Sequence, residues 1–350
     1  MSAISLYLDH AATTPLLSRA REAMGEGVAL WANPSSLHRA GRAARAALED
    51  ARARIAAALD WPGEVIFTSG ASEALMLALT RCARPLAAVS TVEHEAVLRH
   101  AAGAGRLAVD ALGAVDPADC ARDGLVAVQH ANNETGVIQP LAGIAAAVRG
   151  AGGLLLADCA QTAGKIALPD ADMLAISAHK FCGPIGVGAL LVRDWAMLQP
   201  TGGQERGYRP GTENLPGVLG MAAALEAGSG WMADAARLRA ELEDALTAAG
   251  GDVIAREGRR IATIGAYRMP GVSAAAQLIR FDTMGIAVSA GSACSSGSLR
   301  ASHVLTAMGL SDSKASEVIR VSIGRETTSS DIIRFVAAWR EIAAGTGRRA

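Results

Sequence analysis

The chain has 350 residues, 33 basic and 34 acidic, of which 51% are hydrophobic, 19% charged and only 3% aromatic. This apolar content at a net charge of -1 excludes a disordered chain, and with no long basic run it argues against a nucleic-acid partner. No apolar run is long enough to span a bilayer, so no membrane association is expected.

The N-terminus, MSAISLYLDHAATTP, has no basic leader and an Asp-His pair interrupts its apolar stretch, so neither a signal peptide nor an anchor is expected. From about residue 64 the chain alternates two textures. Short apolar runs at 65–67, 86–90, 125–130, 154–157, 173–177 and 188–192 read as buried strands, and helical stretches at 73–82, 94–102 and 141–150 lie between them. Such alternation predicts α/β layers around a mostly parallel sheet, with ligands at the C-terminal ends of the strands. Residues 201–217 are rich in Gly, Pro and polar groups and read as a functional loop. A helix follows over 231–249. Strands near 261–266, 288 and 318–323, with helices near 274–284, 299–308 and 331–344, then predict a smaller α+β domain. The boundary falls near Gly230, giving a large domain over 13–230 and a small domain made of 1–12 and 231–350.

The five cysteines (Cys82, Cys120, Cys159, Cys182, Cys294) are odd in number and form no CxxC, which points away from a disulfide framework and toward a reducing, cytoplasmic setting. Only three lysines occur, Lys165, Lys180 and Lys314, so the surface takes its positive charge from Arg. Several common motifs fail. Gly164-Lys165 lacks the rest of a P-loop, and Leu98 breaks an HExxH at His94-Glu95. No GxGxxG opens a helix after a strand, and the SxxK at Ser177-Ala178-His179-Lys180 has no companion KTG. No metal site is expected.

The strand ends are more informative. Thr68-Ser69-Gly70-Ala71-Ser72-Glu73 follows a strand and opens a helix, which suits a phosphate; a plain helix cap by Ser72 is the alternative. Asp158 ends another strand, with Gln161 three residues on; a turn-forming Asp is the alternative. Lys180 ends the run 173–177 and enters the turn Gly183-Pro184-Ile185-Gly186. A lysine held in such a pocket has a lowered pKa and forms Schiff bases. Cys294 sits in the middle of a Gly/Ser loop over 289–298, the setting of an exposed nucleophile; an incidental exposed thiol is the alternative. A phosphate cradle, an acid and a strand-end lysine are together what pyridoxal phosphate needs.

With these residues in view, the chain resembles the class V aminotransferase superfamily and, within it, the NifS/IscS-like cysteine desulfurases. The resemblance runs from Tyr7 to about Arg340. It rests on Tyr7-Leu8-Asp9-His10-Ala11-Ala12-Thr13-Thr14-Pro15, Asn33-Pro34-Ser35-Ser36, the 68–73 motif, Glu93-His94 and Asn132-Asn133-Glu134-Thr135-Gly136. It continues through Asp158-Cys159-Ala160-Gln161, the 177–180 motif, Gly203-Gln204-Glu205-Arg206-Gly207-Tyr208-Arg209-Pro210-Gly211-Thr212 and Gly291-Ser292-Ala293-Cys294. It implies the fold type I of pyridoxal-phosphate enzymes, with a mostly parallel, mixed seven-stranded sheet flanked by helices, and a homodimer.

By position, the resemblance implies that Lys180 holds the cofactor covalently. Asp158 pairs with its ring nitrogen, Gln161 with its ring oxygen, and His94 stacks on the ring and moves protons. Ala71, Ser72, Ser177 and His179 hold the phosphate, joined by Thr212 from a second subunit. Asn133 lies near ring oxygen and substrate, and Arg320, helped by Asn33, pairs with the substrate carboxylate. The implied reaction takes sulfur from L-cysteine, leaves L-alanine and forms a persulfide on Cys294, which passes to an acceptor protein such as an iron–sulfur scaffold. Three departures stand out: Ala74-Leu75-Met76 replaces a polar run, Ser72 replaces Thr, and the tail after Arg340 is short, which bears on scaffold docking. Cys294 disfavours a plain aminotransferase on this fold, and selenocysteine lyase stays open beside the desulfurase. Lys180 and Cys294 together disfavour a non-catalytic sulfur carrier.

Overall fold

Apolar five-residue runs without charged interruptions can be covered on both faces, and here they pair into one sheet. A computed structural model of the chain describes residues 6–291 and 302–345. Edge to edge, its seven strands are Glu64–Thr68, Gly188–Val192, Met173–Ser177, Leu154–Asp158, Leu125–Ala127, Leu86–Ser90 and Gly105–Leu107. Gly188–Val192 runs antiparallel to both its neighbours, and the other pairs are parallel. Helices Ala71–Arg81 and Leu141–Gly150 make crossovers between parallel strands.

The register sets up the site. Asp158 lies opposite Ala175, so the ends of Leu154–Asp158 and Met173–Ser177 are adjacent. Thr68 and Ser177 both lie opposite Gly188, which brings the start of the helix Ala71–Arg81 beside the strand that leads to Lys180. Gly188 is needed there: a Cβ on it would stand 2.7 Å from the Gly70 Cα and 2.4 Å from the Ile176 carbonyl oxygen.

A second core forms around the antiparallel strands Val318–Ser322, Ile264–Arg268 and Asp252–Val253, covered by helices Met232–Ala248, Ala274–Thr283 and Ser329–Ala344. Its interior holds Tyr267, Phe281, Phe335 and Trp339, together with Leu6 and Leu8 from the far end of the chain. Leu6–Tyr7 pairs in parallel with Ile286–Ala287.

Several expected elements differ in extent. The strand expected over 125–130 ends at Ala127, because Gln129 turns away: its backbone N–H donates to Glu93 and its amide to the Val92 carbonyl. The helix expected over 94–102 is one turn, Glu95–Leu98, and Gly103 follows at φ +79°. The strand expected near 261–266 is Ile264–Arg268. Helices Ser18–Ala29 and Arg39–Ala58 and the edge strand Gly105–Leu107 are additions to the sequence reading. In Arg39–Ala58, buried Gly41, Ala44, Leu48, Ala51 and Ile55 recur at helical spacing among arginines, a pattern legible in the sequence. Among the described residues no helix is long and apolar enough to cross a membrane.

Candidate active site

Three side chains meet at the ends of the parallel strands, two of them, Asp158 and His94, oriented by a neighbour in sequence. Asp158 accepts the Ala160 N–H at 2.9 Å. Burial pushes its carboxyl above the ordinary carboxylate range, while that N–H and the charges of His94 and Lys180 pull it down. His94 caps the turn Glu95–Leu98, its Nδ1 accepting the Ala96 N–H at 3.1 Å. Burial lowers its pKa, so the ring is mainly neutral at pH 7 and its proton sits on Nε2, the end not engaged by Ala96.

Lys180 ends the short turn Ala178–Lys180, directly after Met173–Ser177. Its Nζ donates to the carbonyls of Ala11 at 2.6 Å and Ala12 at 2.8 Å. Burial, then the positive charge of Arg320, bring its pKa down to about 8, against the pull of Asp158 and Asp9. Gln161 donates to the same Ala11 carbonyl at 3.0 Å, and its buried Oε1 has no partner among the described residues.

The phosphate motif sits as the register requires. The helix Ala71–Arg81 starts after Gly70, and no side chain caps it, so its first N–H groups are left for a ligand. The alternative reading of Ser72 as the cap is corrected: the cap position is Gly70, and Ser72 lies exposed in the first turn. Ser177 is buried beside Gly70. The His179 Nδ1 lies 3.3 Å from the Thr13 hydroxyl. Its pKa falls to about 4 through burial and the charges of Lys180 and Lys165, so it faces any phosphate as a neutral imidazole.

On the other wall, Arg320 projects from Val318–Ser322 and donates to the Asn133 carbonyl at 2.9 Å and to the Asp9 carboxylate at 2.7 Å. The turn that presents Asn133 is made by Asn132, whose Oδ1 accepts the N–H groups of Glu134 and Thr135, both at 2.9 Å. Cys294 lies outside the described residues. The residues flanking 292–301 meet at Glu134: Ser302 donates to its carboxylate at 2.5 Å, and a Cβ on Gly291 would lie 3.7 Å from the same oxygen.

Two expected members stand apart. Asn33 is exposed, and its side chain accepts the N–H of Ser35. Thr212 is exposed on the loop following Arg209. No described contact brings either to Arg320 or to the helix start. Their two loops touch each other instead, through the Ser35 hydroxyl on Gln204 at 2.8 Å. The second loop is pinned from below, Glu205 taking two bonds from Arg52 and Arg209 binding Glu73.

Sequence reasoning missed five contributors. Asp9 and the carbonyls of Ala11 and Ala12 come from the N-terminal segment. Glu93, buried beneath His94, accepts the hydroxyl of Ser90 and the N–H of Gln129, and burial raises its carboxyl to about 8. Lys165, given no comparable setting in the sequence reading, is only 4% exposed, and its pKa is lowered to about 7 by burial and the nearby Lys180. Lys314 is exposed. The four described cysteines are free, and burial raises the thiols of Cys82, Cys120 and Cys159. Among the described residues no group of three His, Cys, Asp or Glu could hold a metal ion.

A family model for aminotransferase class V matches residues 6–335. The cysteine desulfurase of Klebsiella pneumoniae is 39% identical, over 95% of this chain and 91% of its own length. That of Cereibacter sphaeroides is 36% identical, over 95% and 94%. The solved NifS-like protein of Rickettsia africae superposes with a TM-score of 0.89 at 30% identity, covering 97% of this chain and 99% of its own.

Proposed function

The chain belongs to the class-V aminotransferase family and, within it, to the cysteine desulfurases; from that premise we propose that it takes the sulfur from L-cysteine, releases L-alanine and holds the sulfur as a persulfide on Cys294. Pyridoxal phosphate fits the residues present. A half-buried amine of depressed pKa stands beside a strand-end carboxylate, and close-packed glycines adjoin an uncapped helix start. Lys180 would bond its aldehyde, Asp158 its ring nitrogen and Gln161 its ring oxygen, and Ala71, Ser72, Ser177 and His179 its phosphate. When bound, the cofactor supplies an electron sink for the pair left at the substrate Cα.

The chain's own groups divide the remaining work. Arg320 binds the substrate carboxylate, with Asn133 beside it. Lys180, with a pKa of about 8, is partly unprotonated at neutral pH and takes the Cα proton; the Ala11 and Ala12 carbonyls receive the amine once it is charged. His94 would stack on the ring and offer its Nε2 end as a proton carrier. The Cys294 thiolate attacks the substrate sulfur, the S–S bond forming as the substrate Cβ–S bond breaks. The bonding pair stays with Cβ, which takes a proton and leaves as the methyl of alanine, and the persulfide passes to an acceptor protein such as an iron–sulfur scaffold.

Asn33 and Thr212 enter this reading through a homodimer, in which the partner's copies reach the site. Trp31 and Leu37 beside Asn33, 81% and 89% exposed, support a covered face there. The division into 13–230 and the pair 1–12 with 231–350 belongs to the same proposal, supported by the packing of Leu6 and Leu8 in the second core. Free thiols at the four described cysteines support a cytoplasmic setting.

The observation that carries the reading is the half-buried Lys180 amine, which feels the charges of both Asp158 and Arg320. Its test is alanine formed from L-cysteine by cofactor-loaded protein with a thiol reductant present. Lys180→Ala should lose both the covalently held cofactor and alanine formation. Cys294→Ala should keep the bound cofactor's absorbance and lose sulfide release. Normal turnover by Lys180→Ala would overturn the assignment.

A further inference from the structure

We infer that Asp9 is a positioning residue for carboxylate recognition, fixing the plane of Arg320 so that its guanidinium meets the carboxylate of the amino-acid substrate. The inference rests on the reading of Arg320 given above. A guanidinium is a flat fork of five N–H donors, and what it binds depends on how that plane is turned. Here the two ends of the fork are tied to different elements. One terminal nitrogen donates to the Asn133 carbonyl at 2.9 Å, the other to the Asp9 carboxylate at 2.7 Å. Two ties at different nitrogens hold the plane; with Asn133 alone the group turns about a single contact. The Nε is buried with no acceptor among the described residues. The Arg320 side chain is only 9% exposed, so bulk water is a poor substitute for a lost tie.

Asp9 is itself held as a fixed post. Its carbonyl accepts the Tyr7 hydroxyl at 3.0 Å and the Ala12 N–H at 3.0 Å, and its backbone bridges to Ser322 on the strand that carries Arg320. The same short segment supplies the carbonyls that hold the Lys180 amine. Asp9 therefore sets Arg320 against Lys180, the two groups that must grip the carboxylate and the α-carbon of one small molecule. The contact has a second physical reading, in which Asp9 occupies Arg320 as a competitor that the substrate carboxylate displaces. The two readings predict opposite signs.

The test is equilibrium binding of two amines to cofactor-loaded protein, by calorimetry. L-Alanine carries the carboxylate, and ethylamine is the same molecule without it. Asp9→Asn should weaken L-alanine about tenfold, the cost of losing a bond to a charged group, and leave ethylamine within about twofold. Asp9→Glu, which keeps the carboxylate on a longer arm, should recover part of the selective loss. With L-cysteine, KM should rise in Asp9→Asn more than kcat falls. Equal weakening of both amines, unchanged L-alanine affinity, or tighter L-alanine binding each overturns the inference. Arg320→Gln runs beside it. If that variant keeps its preference for L-alanine over ethylamine, the Arg320 reading fails and the inference falls with it. If it loses the preference while Asp9→Asn keeps it, the inference about Asp9 alone is wrong. Melting curves check that Asp9→Asn folds; should it not, Asp9→Glu carries the test through a smaller loss confined to L-alanine.

Discussion

The groups at the strand ends and those brought by the N-terminal segment serve one site, but different forces hold them. Asp158 and His94 are each oriented by a backbone N–H two residues further on. Lys180 and Arg320 are oriented by residues 9–12, which lie 168 to 311 positions away in sequence. The first half needs only its own strand to be formed. The second half needs both cores folded and the segment laid between them. Local bonds make orientation cheap, and long-range bonds make it conditional.

The sharpest break of the site as a whole is Lys180→Ala, which should lower alanine formation by about a thousandfold or more while leaving the sheet folded, as single-turnover assays and a melting curve would report. In the second half, Ser322→Ala removes the buried hydroxyl that accepts the Ala11 N–H at 2.8 Å. Leaving that donor unpaired should cost about 1–3 kcal/mol in denaturant unfolding. Cofactor retention should weaken with it, because Ala11 also holds Lys180. A variant that loses stability but keeps full cofactor affinity would show the two halves to be uncoupled.

The two halves also differ in pH response. Lys180 reacts as the free amine, and its pKa is lowered to about 8. The rate of cofactor uptake by stripped protein should therefore climb about tenfold for each pH unit below 8 and level off above it, not near the ordinary lysine value. A further pH effect lies beside the strand ends. His130 is buried against the Thr162 hydroxyl at 3.0 Å, with its pKa lowered to about 4. The unfolded chain binds the proton first, so this contribution is intact above about pH 6.5 and is lost as pH falls toward 4. The stability gap between wild type and His130→Gln should shrink by about 3 kcal/mol across that window. Glu93 titrates in both proteins and cancels in the difference.

Legibility in the sequence follows the same divide. Asp158 and Lys180 could be read because each ends a short apolar run, and a polar group there has few reasons to exist other than a ligand. The helix start at Ala71 could be read, although its cap is Gly70, since close backbone approach leaves no mark beyond the glycines themselves. Asp9 could not be assigned a role, because its partner is 311 residues away and no spacing records it. The carbonyls of Ala11 and Ala12 carry no side-chain signature at all. Lys165 looks like any lysine in a turn until the packing shows it buried. Asn132 and Asn133 are identical neighbours in the sequence, and only the turn geometry separates the one that builds the loop from the one that is presented by it.

The placement of Leu6 and Leu8 in the second core imposes a timetable on biosynthesis. Residues 6–11 leave the ribosome well before their partners, Ile286–Ala287, Arg320 and Ser322, have been made. A nascent chain can form its sheet and expose its lysine long before that, yet the carbonyls that receive the amine stay unanchored until Val318–Ser322 emerges. A chain that stops short of Val318–Ser322 lacks both Arg320 and the strand against which residues 9–11 are anchored.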